Sequence, residues 1–397
     1  MSTSAYSKKH KFFIIAGENS SDLHASNLVR EMIRMNPDIE IYGLGGEQLK
    51  QAGVKLLYNI VDSLAIIGFI EVLTHIRKIK EVMNLTREFL ERERPDAIIL
   101  IDYPGFNLRI ARFAKELGIK VFYYISPTVW AWGRGRIKTI AQCVDKMLVI
   151  LPFEEQLYQQ AGVDVSYVGH PLLDIMNLTM TKEEVFSYFK FDPSKKLIGF
   201  LPGSRKSEVQ RHLPVMLGAA EMIKRKMPDV QFVIPRASTI KKELINFLLK
   251  NFPVDVFVVD QYRYNVRNTL DFAIVASGTA TLETAFLGCP MIIIYKASFL
   301  SFIIAKSLVN LPYIGLVNII AGNMVVPELI QHEATPRNLA QKTLQMINDP
   351  DMLAAIKYEM IKIKEKMGGA GASLRGAHII LEYLKIPTID SADNNTQ

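Results

Sequence analysis

The chain has 397 residues, of which 49% are hydrophobic, 22% charged and 9% aromatic. This balance excludes a disordered or collagen-like protein and a long coiled coil, and the length predicts two or three domains. The net charge of +7 is compatible with an anionic membrane surface, a phosphorylated substrate or a nucleic acid. Cys143 and Cys289 lie far apart, which argues against a disulfide scaffold and a thiolate zinc site.

Targeting and membrane-spanning segments are not indicated. Residues 1–11 are polar and lack the apolar run of a secretory signal. The most apolar stretch, residues 286–322, is interrupted by lysines, asparagines and a proline, so it does not reach ~20 uncharged apolar residues. We expect a protein that is soluble or peripheral to a membrane.

Short apolar strands alternate with helical patterns in the first half of the chain. Continuous apolar runs are typical of strands that are covered on both faces in a parallel sheet. The predicted strands are Lys11–Ala16, Ile39–Gly43, Ala97–Ile101, Val121–Ile125 and Lys146–Ile150. A doubly wound α/β domain is therefore expected over residues 8–172.

The same pattern restarts after a polar stretch at 179–196. The predicted strands are Leu197–Leu201, Asp229–Pro235, Val254–Val259, Phe272–Ala276 and Met291–Tyr295. We expect a second Rossmann-like domain over 173–366, then a C-terminal helix and a polar tail within 367–397. Two such domains facing each other would form a cleft for a nucleotide or sugar nucleotide, because ligands bind beyond the carboxyl ends of parallel strands.

Two common phosphate motifs are missing. Neither Gly-x-Gly-x-x-Gly nor Gly-x-x-x-x-Gly-Lys-Ser/Thr occurs, so the dinucleotide and P-loop hypotheses lose their main support. The seven histidines show no His-x-x-x-His pair, and no metal site is predicted.

In the first domain, carboxylates follow two predicted strands. Glu18 comes after the first strand, and Asp102 comes directly after Ala97–Ile101. An acid at such a strand end can serve as a general base, although a loop cap is an equally good interpretation. For the first loop, the simple alternative is an N-cap in which Ser21 or Asp22 binds the first helical amides.

The second domain has polar strand ends of a different kind. Arg205 follows a glycine turn and can make a two-pronged contact with phosphate. Small residues at Ser277, Gly278, Thr279 and Ala280 would let backbone amides at a helix start meet a diphosphate. Glu283 lies one turn further on. It can accept hydrogen bonds from ribose hydroxyls, or it can simply be a favourable acidic residue in the first turn of the helix.

An apolar stretch followed by basic residues spans 64–80. It predicts either a core helix with a solvated basic end or an interfacial helix that binds acyl chains and anionic headgroups. On the second hypothesis Phe69, Ile70 and Leu73 face the lipid. Two tryptophans, Trp130 and Trp132, are expected in the core or along the cleft.

Several blocks of sequence together resemble one family over residues 12–385. In order, these are AGENSSDLHASNLV, IDYPGFNLRIA, YYISPTVWAWGRGRIKTI, LPFE, YVGHPLLD, LPGSRKSEV, SGTATLETA and VNIIAG followed by PELIQ. The chain resembles the lipid A disaccharide synthases. It departs from the common family pattern by GENSSD in the first loop, where GEASGD is usual, and by Gly105 in place of an acid.

The resemblance implies an inverting GT-B glycosyltransferase made of two Rossmann-like domains. Such an enzyme moves 2,3-diacylglucosamine from UDP to the 6-hydroxyl of 2,3-diacylglucosamine 1-phosphate, giving a β-1,6-linked disaccharide and UDP. It needs no metal or other cofactor and lies on the cytoplasmic face of the bacterial inner membrane. It also implies a homodimer whose C-terminal segments are exchanged between protomers.

The resemblance also adds residues to the expected site. It places Ser20 on the acceptor side and adds three residues to the UDP side. These are Asn318, Glu328 and Gln331. The single displacement needs one base, for which we expect Asp102, with Glu18 as rival or helper, while Arg205 neutralises the leaving UDP.

Three alternatives remain open at this stage. Another GT-B protein, such as the peptidoglycan N-acetylglucosaminyltransferase or a UDP-sugar 2-epimerase, would share the nucleotide side but lack the Trp-Ala-Trp block. A non-catalytic peripheral membrane protein would keep its role without Asp102. Nucleic-acid binding is disfavoured because the basic residues are scattered and no reader motif is present.

Overall fold

The computed structural model describes residues 9–61, 69–130, 135–298 and 312–389, except for the side chains of residues 69–75. The chain divides into two compact units. The first contains the residues up to Asp174 together with those from Met367 onward, and the second is Ile175–Lys366. The C-terminal segment, which we expected as a separate region, thus belongs to the first unit.

In the described part of the first unit, seven parallel strands form one sheet in the order β3-β2-β1-β4-β5-β6-β7. The strands are β1 (His10–Ala16), β2 (Ile39–Gly45), β3 (Lys55–Asn59), β4 (Ala97–Ile101), β5 (Lys120–Tyr124), β6 (Lys146–Val149) and β7 (Val165–Tyr167). The helices are α1 (Asn19–Met35), α2 (Glu47–Gln51), α3 (Phe69–Glu93), α4 (Pro104–Glu116), α5 (Arg136–Cys143), α6 (Pro152–Gln160) and α7 (Leu172–Ile175). The last residue of α7 is the first residue of the second unit.

Both faces of this sheet are buried, which explains the continuous apolar runs. Along β1, Phe12 and Ile14 belong to one core cluster, while Phe13 and Ile15 belong to the other. Successive side chains of a strand point to opposite faces, so a strand covered by helices on both sides must be apolar throughout. The doubly wound α/β fold predicted from the runs is confirmed.

The described part of the second unit contains a six-stranded parallel sheet in the order β10-β9-β8-β11-β12-β13. The strands are β8 (Lys196–Leu201), β9 (Val230–Pro235), β10 (Val256–Val259), β11 (Phe272–Ala276), β12 (Met291–Tyr295) and β13 (Glu328–Ile330). The helices are α8 (Lys182–Phe189), α9 (Lys206–Lys226), α10 (Lys242–Leu249), α11 (Arg263–Asn268), α12 (Thr279–Phe286), α13 (Leu316–Ala321), α14 (Pro336–Ile347) and α15 (Pro350–Lys366).

The last helix, α16 (Ala372–Tyr383), packs on α1 of the first unit. Its Ala377 and Ile380 are fully buried in the same core cluster as Phe12 and Ile14. The Asp174 carboxylate caps this helix, since it accepts hydrogen bonds from three backbone N–H groups at 2.6–3.2 Å, those of residues 371–373. The exchange of this segment between protomers stays a prediction.

Each sheet has a point at which the strand order reverses. In the first sheet this lies between β1 and β4, where Ala16 is paired with Ile101. In the second it lies between β8 and β11, where Leu201 is paired with Val275. Ligands of doubly wound sheets bind beyond the carboxyl ends of the strands at this point. The topology therefore marks one candidate site on each unit.

Candidate active site

The first candidate site contains the two carboxylates predicted at strand ends. Because Ala16 and Ile101 are register partners, the residues that follow them start from neighbouring positions at one edge of the sheet. Glu18 and Asp102 are both half-buried there, close enough for the charge of Glu18 to act on Asp102. The structure thus brings together the two residues predicted as base and rival.

An unusual backbone presents Asp102. Asp102 and Tyr103 both have left-handed conformations, with φ of 44° and 46°. The turn is held by Asn107, whose amide donates to the carbonyls of Ile101 and Asp102 at 3.1 and 2.8 Å, and by the Tyr123 hydroxyl, which also donates to the Asp102 carbonyl. Strained backbone that the surroundings hold in place is concentrated at functional sites.

The surroundings make Asp102 a weaker acid. Burial raises the pKa of the Asp102 carboxyl to about 6, and the negative charge of Glu18 contributes in the same direction. A hydrogen bond from the Tyr103 backbone opposes the rise. A carboxylate whose pKa lies near the operating pH is suited to general-base catalysis, because it is ionised yet basic enough to take a proton.

The Tyr103 ring lies directly against the first loop. A Cβ atom added at Gly17 would come within 2.7 Å of ring atoms of Tyr103. This contact requires glycine at position 17, and it explains why a small residue separates β1 from Glu18. The ring also stacks on Phe106 with a centroid distance of 5.9 Å, which fixes the Asp102 turn against α4.

The predicted N-cap role of Ser21 or Asp22 is wrong. The N-cap residue of α1 is Glu18, in an extended conformation. Asp22 is buried and its carboxylate serves a different helix, accepting hydrogen bonds from three backbone N–H groups at 2.7–3.3 Å. The donors are those of Gly46, Gln48 and Leu49. The first turn of α1 is thereby tied to the start of α2, while Ser20 is left exposed at the site edge.

Removing this carboxylate should destabilise the first unit. We expect Asp22→Ala to lower the free energy of unfolding by about 2–4 kcal/mol, because buried N–H groups lose their acceptors. Urea unfolding followed by circular dichroism measures it. The matched control is Asn19→Ala, an exposed first-turn position, with an expected change within about 0.5 kcal/mol. Equal effects of the two variants would contradict this role.

The apolar stretch at 64–80 is described only in part. Residues 62–68 and the side chains of Phe69, Ile70 and Leu73 lie outside the described residues, although α3 begins at Phe69. The basic end is exposed, and Arg77 has 95% of its side chain accessible. Trp132 also lies outside the described residues, whereas Trp130 is half-buried.

The second candidate site is formed by small residues at the reversal point of the other sheet. Gly278 is the N-cap of α12, and its φ of 148° favours glycine. Gly278 and Thr279 are exposed, while Ser277 and Ala280 are half-buried. The first N–H groups of a helix have no partner within the helix and carry its positive dipole end, which suits an anionic diphosphate.

Arg205 lies at the next strand end, after β8. It is the N-cap residue of α9, with 44% of its side chain exposed, and its guanidinium contacts the Glu208 carboxylate at 2.9 Å. Glu208 also accepts hydrogen bonds from the backbone N–H groups of Ser204 and Arg205 at 3.0 and 3.2 Å. Glu208 therefore fixes the Arg205 turn, a role that the sequence reasoning missed although the Arg-x-x-Glu spacing is that of a capping box.

Glu283 is engaged inside its own unit. Its carboxylate accepts a hydrogen bond from the Tyr264 hydroxyl at 2.9 Å and pairs with the guanidinium of Arg267. Both members of this ion pair are largely buried. A carboxylate has about four acceptor positions, so Glu283 can still accept bonds from ribose. The predicted ribose role stays a prediction, and the structure adds two residues that orient the carboxylate.

The three remaining residues predicted on the nucleotide side hold the connection between β12 and β13 in place. Asn318 is fully buried, and its amide binds Glu328, the Val326 carbonyl and two backbone N–H groups at 2.8–3.0 Å. Glu328 accepts from the N–H groups of residues 314 and 315, both at 2.9 Å. Gln331 accepts from the Ala297 N–H at 2.9 Å. Asn318 thus braces the loop from inside, and its hydrogen-bonding capacity is fully used.

A buried histidine that the sequence reasoning missed joins the chain segments that follow β8 and β12. The Nε2 atom of His212 accepts a hydrogen bond from the Lys296 N–H at 3.0 Å, so Nδ1 carries the proton and donates to the Pro202 carbonyl at 2.9 Å. Burial lowers the pKa of His212, which keeps the ring neutral. No sequence signal marked it, because its partners lie 10 and 84 residues away.

The described residues offer neither a cluster of metal ligands nor a membrane-spanning helix. Within the ranges that the structure describes, no group of three or more His, Cys, Asp or Glu side chains is placed to hold a metal ion. None of the helices in those ranges combines the length and apolar character needed to cross a bilayer.

Two doubly wound parallel sheets, each with one reversal point, are the arrangement of the GT-B fold, which glycosyltransferases and UDP-sugar epimerases share. Solved structures of low sequence identity share this fold. One is the Staphylococcus aureus MnaA–UDP structure (TM-score 0.66, 12% identity, 95% of this chain and 97% of that chain). Another is Acinetobacter baumannii MurG (TM-score 0.59, 13% identity, 94% and 99%).

Sequence comparison narrows the class to one family. The family model described as lipid-A-disaccharide synthetase matches residues 12–378. The lipid-A-disaccharide synthase of Syntrophus aciditrophicus is 47% identical over 94% of this chain and 97% of that protein. That of Geobacter sulfurreducens is 43% identical with the same coverage. The chain belongs to the lipid-A-disaccharide synthetase family, which confirms the predicted family and glycosyltransferase enzyme class.

Proposed function

We propose that the chain transfers 2,3-diacylglucosamine from UDP to the 6-hydroxyl of 2,3-diacylglucosamine 1-phosphate. The products are the β-1,6-linked lipid A disaccharide 1-phosphate and UDP. The observation that carries the proposal is the Asp102 carboxylate, poised by burial and by Glu18 at the reversal point of the first sheet. Family membership supports the choice of substrates.

The reaction is a single displacement. Asp102 takes the proton of the acceptor 6-hydroxyl, and the resulting oxygen attacks the anomeric carbon from the face opposite UDP. The new C–O bond forms as the bond to the diphosphate oxygen breaks, so the configuration inverts. Glu18 tunes Asp102 in this scheme, and it is the base in the rival one.

The departing UDP gains negative charge, which the second unit neutralises. Arg205 contributes its guanidinium, and the start of α12 contributes backbone N–H groups around Gly278. Glu283 binds the ribose hydroxyls, held in place by Arg267 and Tyr264. Glu328 and Gln331 shape the neighbouring loop. No metal or other cofactor takes part in the scheme.

The acylated substrates also require contact with a lipid surface. We propose that the chain is a homodimer peripheral to the cytoplasmic face of the bacterial inner membrane, with 64–80 as the lipid-facing stretch. The exposed basic end of this stretch, including Arg77 and Lys80, favours anionic headgroups.

The double variant Phe69→Ser with Ile70→Ser tests the lipid-facing stretch. We expect binding to anionic vesicles to weaken by about tenfold and KM for the acylated acceptor to rise by a similar factor, because apolar area is lost. Vesicle sedimentation and initial rates measure the two effects. Leu85→Ser, an exposed apolar position on the same helix, is the control. Unchanged binding and kinetics would return 64–80 to a core role.

The overall proposal is tested on the product. The chain is incubated with UDP-2,3-diacylglucosamine and 2,3-diacylglucosamine 1-phosphate, and the lipid fraction is analysed by mass spectrometry and NMR. We expect a disaccharide monophosphate with a β-1,6 linkage. Conversion of UDP-N-acetylglucosamine to its 2-epimer without any disaccharide would instead favour the epimerase function named for several solved structures of the same fold.

A further inference from the structure

A buried carboxyl group joins two motifs whose roles the proposed reaction does not use. Glu154, in the LPFE block, is 2% exposed. Its Oε1 atom accepts hydrogen bonds from the Ser126 hydroxyl at 2.6 Å and from the Trp130 indole N–H at 3.1 Å. Its Oε2 atom accepts from the Leu151 N–H at 3.1 Å, at the start of α6. One side chain thus connects a helix start to both ends of the 126–130 loop.

The 126–130 loop lies beside the predicted base. It follows β5, the sheet neighbour of β4, and the residue before it, Ile125, accepts a hydrogen bond from the Asp102 N–H at 3.2 Å. Ile125 itself has φ of 64°, so the chain turns sharply at this point. The start of the loop and the Asp102 turn are therefore joined directly at Ile125.

Thr128 and Trp130 are the accessible residues of the loop, and Trp130 offers the larger surface to a ligand. Its ring is half-buried and packs edge-on against Phe153 at a centroid distance of 5.3 Å. With its N–H held by Glu154, the indole has a single orientation. A large flat side chain with a fixed orientation, in a loop that starts beside the Asp102 turn, is suited to guide a sugar ring.

Burying the Glu154 carboxylate costs desolvation free energy, which a purely structural role would not require. Burial raises the pKa of Glu154 to about 7, although its hydrogen bonds partly offset this effect. Apolar packing would hold a loop without this desolvation cost. The carboxylate adds direction, because it accepts from two donors of the loop at the same time.

We propose that Glu154 is a positioning residue that orients Trp130 as a wall of the acceptor-sugar site. The inference rests on the proposed function, since it assigns the acceptor to the Asp102 edge. Glu154 does not touch the reacting atoms. It acts through the 126–130 loop, so its loss should affect acceptor binding and leave the nucleotide side of the reaction unchanged.

The kinetic test uses Glu154→Gln, Trp130→Phe and their combination. Glutamine keeps the shape and one acceptor oxygen but places an NH₂ group where another donor points. We expect KM for the acceptor to rise about 3–10-fold in each single variant, with KM for the UDP-sugar within twofold of wild type. The double variant should bind the acceptor no worse than Trp130→Phe alone, because the proposed effect of Glu154 on the acceptor site passes through its hydrogen bond with Trp130, which both changes break. Gln156→Ala, exposed on the same helix, is the control.

The second readout does not depend on activity. The sequence has two tryptophans, so in Trp132→Phe the emission that is excited selectively from tryptophan comes from Trp130 alone. In that background Glu154→Gln should shift Trp130 emission to the red and increase quenching by acrylamide, whereas Gln156→Ala should not. This result stands even if the wild type forms no disaccharide, which separates failure of the inference from failure of the proposed function.

Three outcomes would overturn the inference. One is unchanged Trp130 fluorescence in Glu154→Gln. Another is an equal rise of both KM values, which a general loosening of the first unit would cause. The third is additive loss in the double variant. Because glutamine conserves the volume of glutamate, these variants decide the matter even if Glu154→Ala does not fold.

Discussion

Replacing Asp102 with alanine or asparagine is expected to lower kcat by about 100-fold or more, with KM for the UDP-sugar little changed. General-base catalysis contributes about 10²–10⁴-fold, and the base acts only when the acceptor proton is being transferred. Initial rates of acceptor-dependent UDP release measure the loss.

The pH dependence of the wild type gives the same prediction a second test. Because the pKa of Asp102 is raised to about 6, the carboxyl is protonated and inactive below that pH, and kcat/KM should rise with pH through about 6. Glu18→Gln removes a negative charge that raises this pKa, so its profile should shift to lower pH. Loss of activity in Glu18→Gln with activity retained in Asp102→Asn would assign the base to Glu18.

The ionisation of Asp102 that should raise kcat/KM should lower the stability of the fold. A carboxyl whose pKa is raised on folding binds its proton more tightly in the folded state, so its ionisation disfavours folding as the pH rises from about 4 to 6. Asp102→Asn removes that ionisation. We therefore expect it to be at least as stable as wild type at pH 7 in urea unfolding. An inactive, less stable variant would point to misfolding rather than to loss of a base.

The second large effect is expected for Arg205. Arg205→Ala should lower kcat by about 100-fold, because removal of one group that stabilises transition-state charge typically costs 10²–10³. Since 44% of the side chain is exposed, the melting temperature should remain near that of wild type. Arg205→Lys should restore part of the rate, as it returns the charge without the two-pronged geometry.

Arg211 provides the matched control. It is exposed on the same helix, α9, and Arg211→Ala removes the same charge without any role in the proposed reaction. Its kcat should stay within twofold of wild type. A similar loss in both variants would indicate a general effect of net charge, for example on docking to anionic lipid, and would contradict a specific role of Arg205.

The central strands of both sheets were predictable from sequence, whereas three of the four edge strands were not. Strands such as Ala97–Ile101 are continuous apolar runs, because they are buried on both faces. The missed strands are short and less buried, and all three lie at a sheet edge. They are β3, β7 and β13, with the sequences KLLYN, VSY and ELI. With one neighbour or a single exposed face, such strands carry no strong apolar signal.

The pairing of Glu18 with Asp102 was also predictable, because parallel strands that share a register end at the same edge. The residues that support the site were not. Glu154 acts on residues 24 and 28 positions away, and Asp22 on residues 24–27 positions away. Such partners are set by tertiary packing. A local pattern predicts only contacts between residues near in sequence, and for this reason Asp22 was wrongly predicted to cap its own helix.

The most direct test of the central claim is UDP release by the wild type in detergent with EDTA, with and without 2,3-diacylglucosamine 1-phosphate. We expect UDP to be released only when the acceptor is present, in a one-to-one ratio with the disaccharide, and we expect EDTA to leave the rate unchanged. UDP release without acceptor, or no release by the folded protein with both substrates present, would contradict glycosyl transfer to this acceptor.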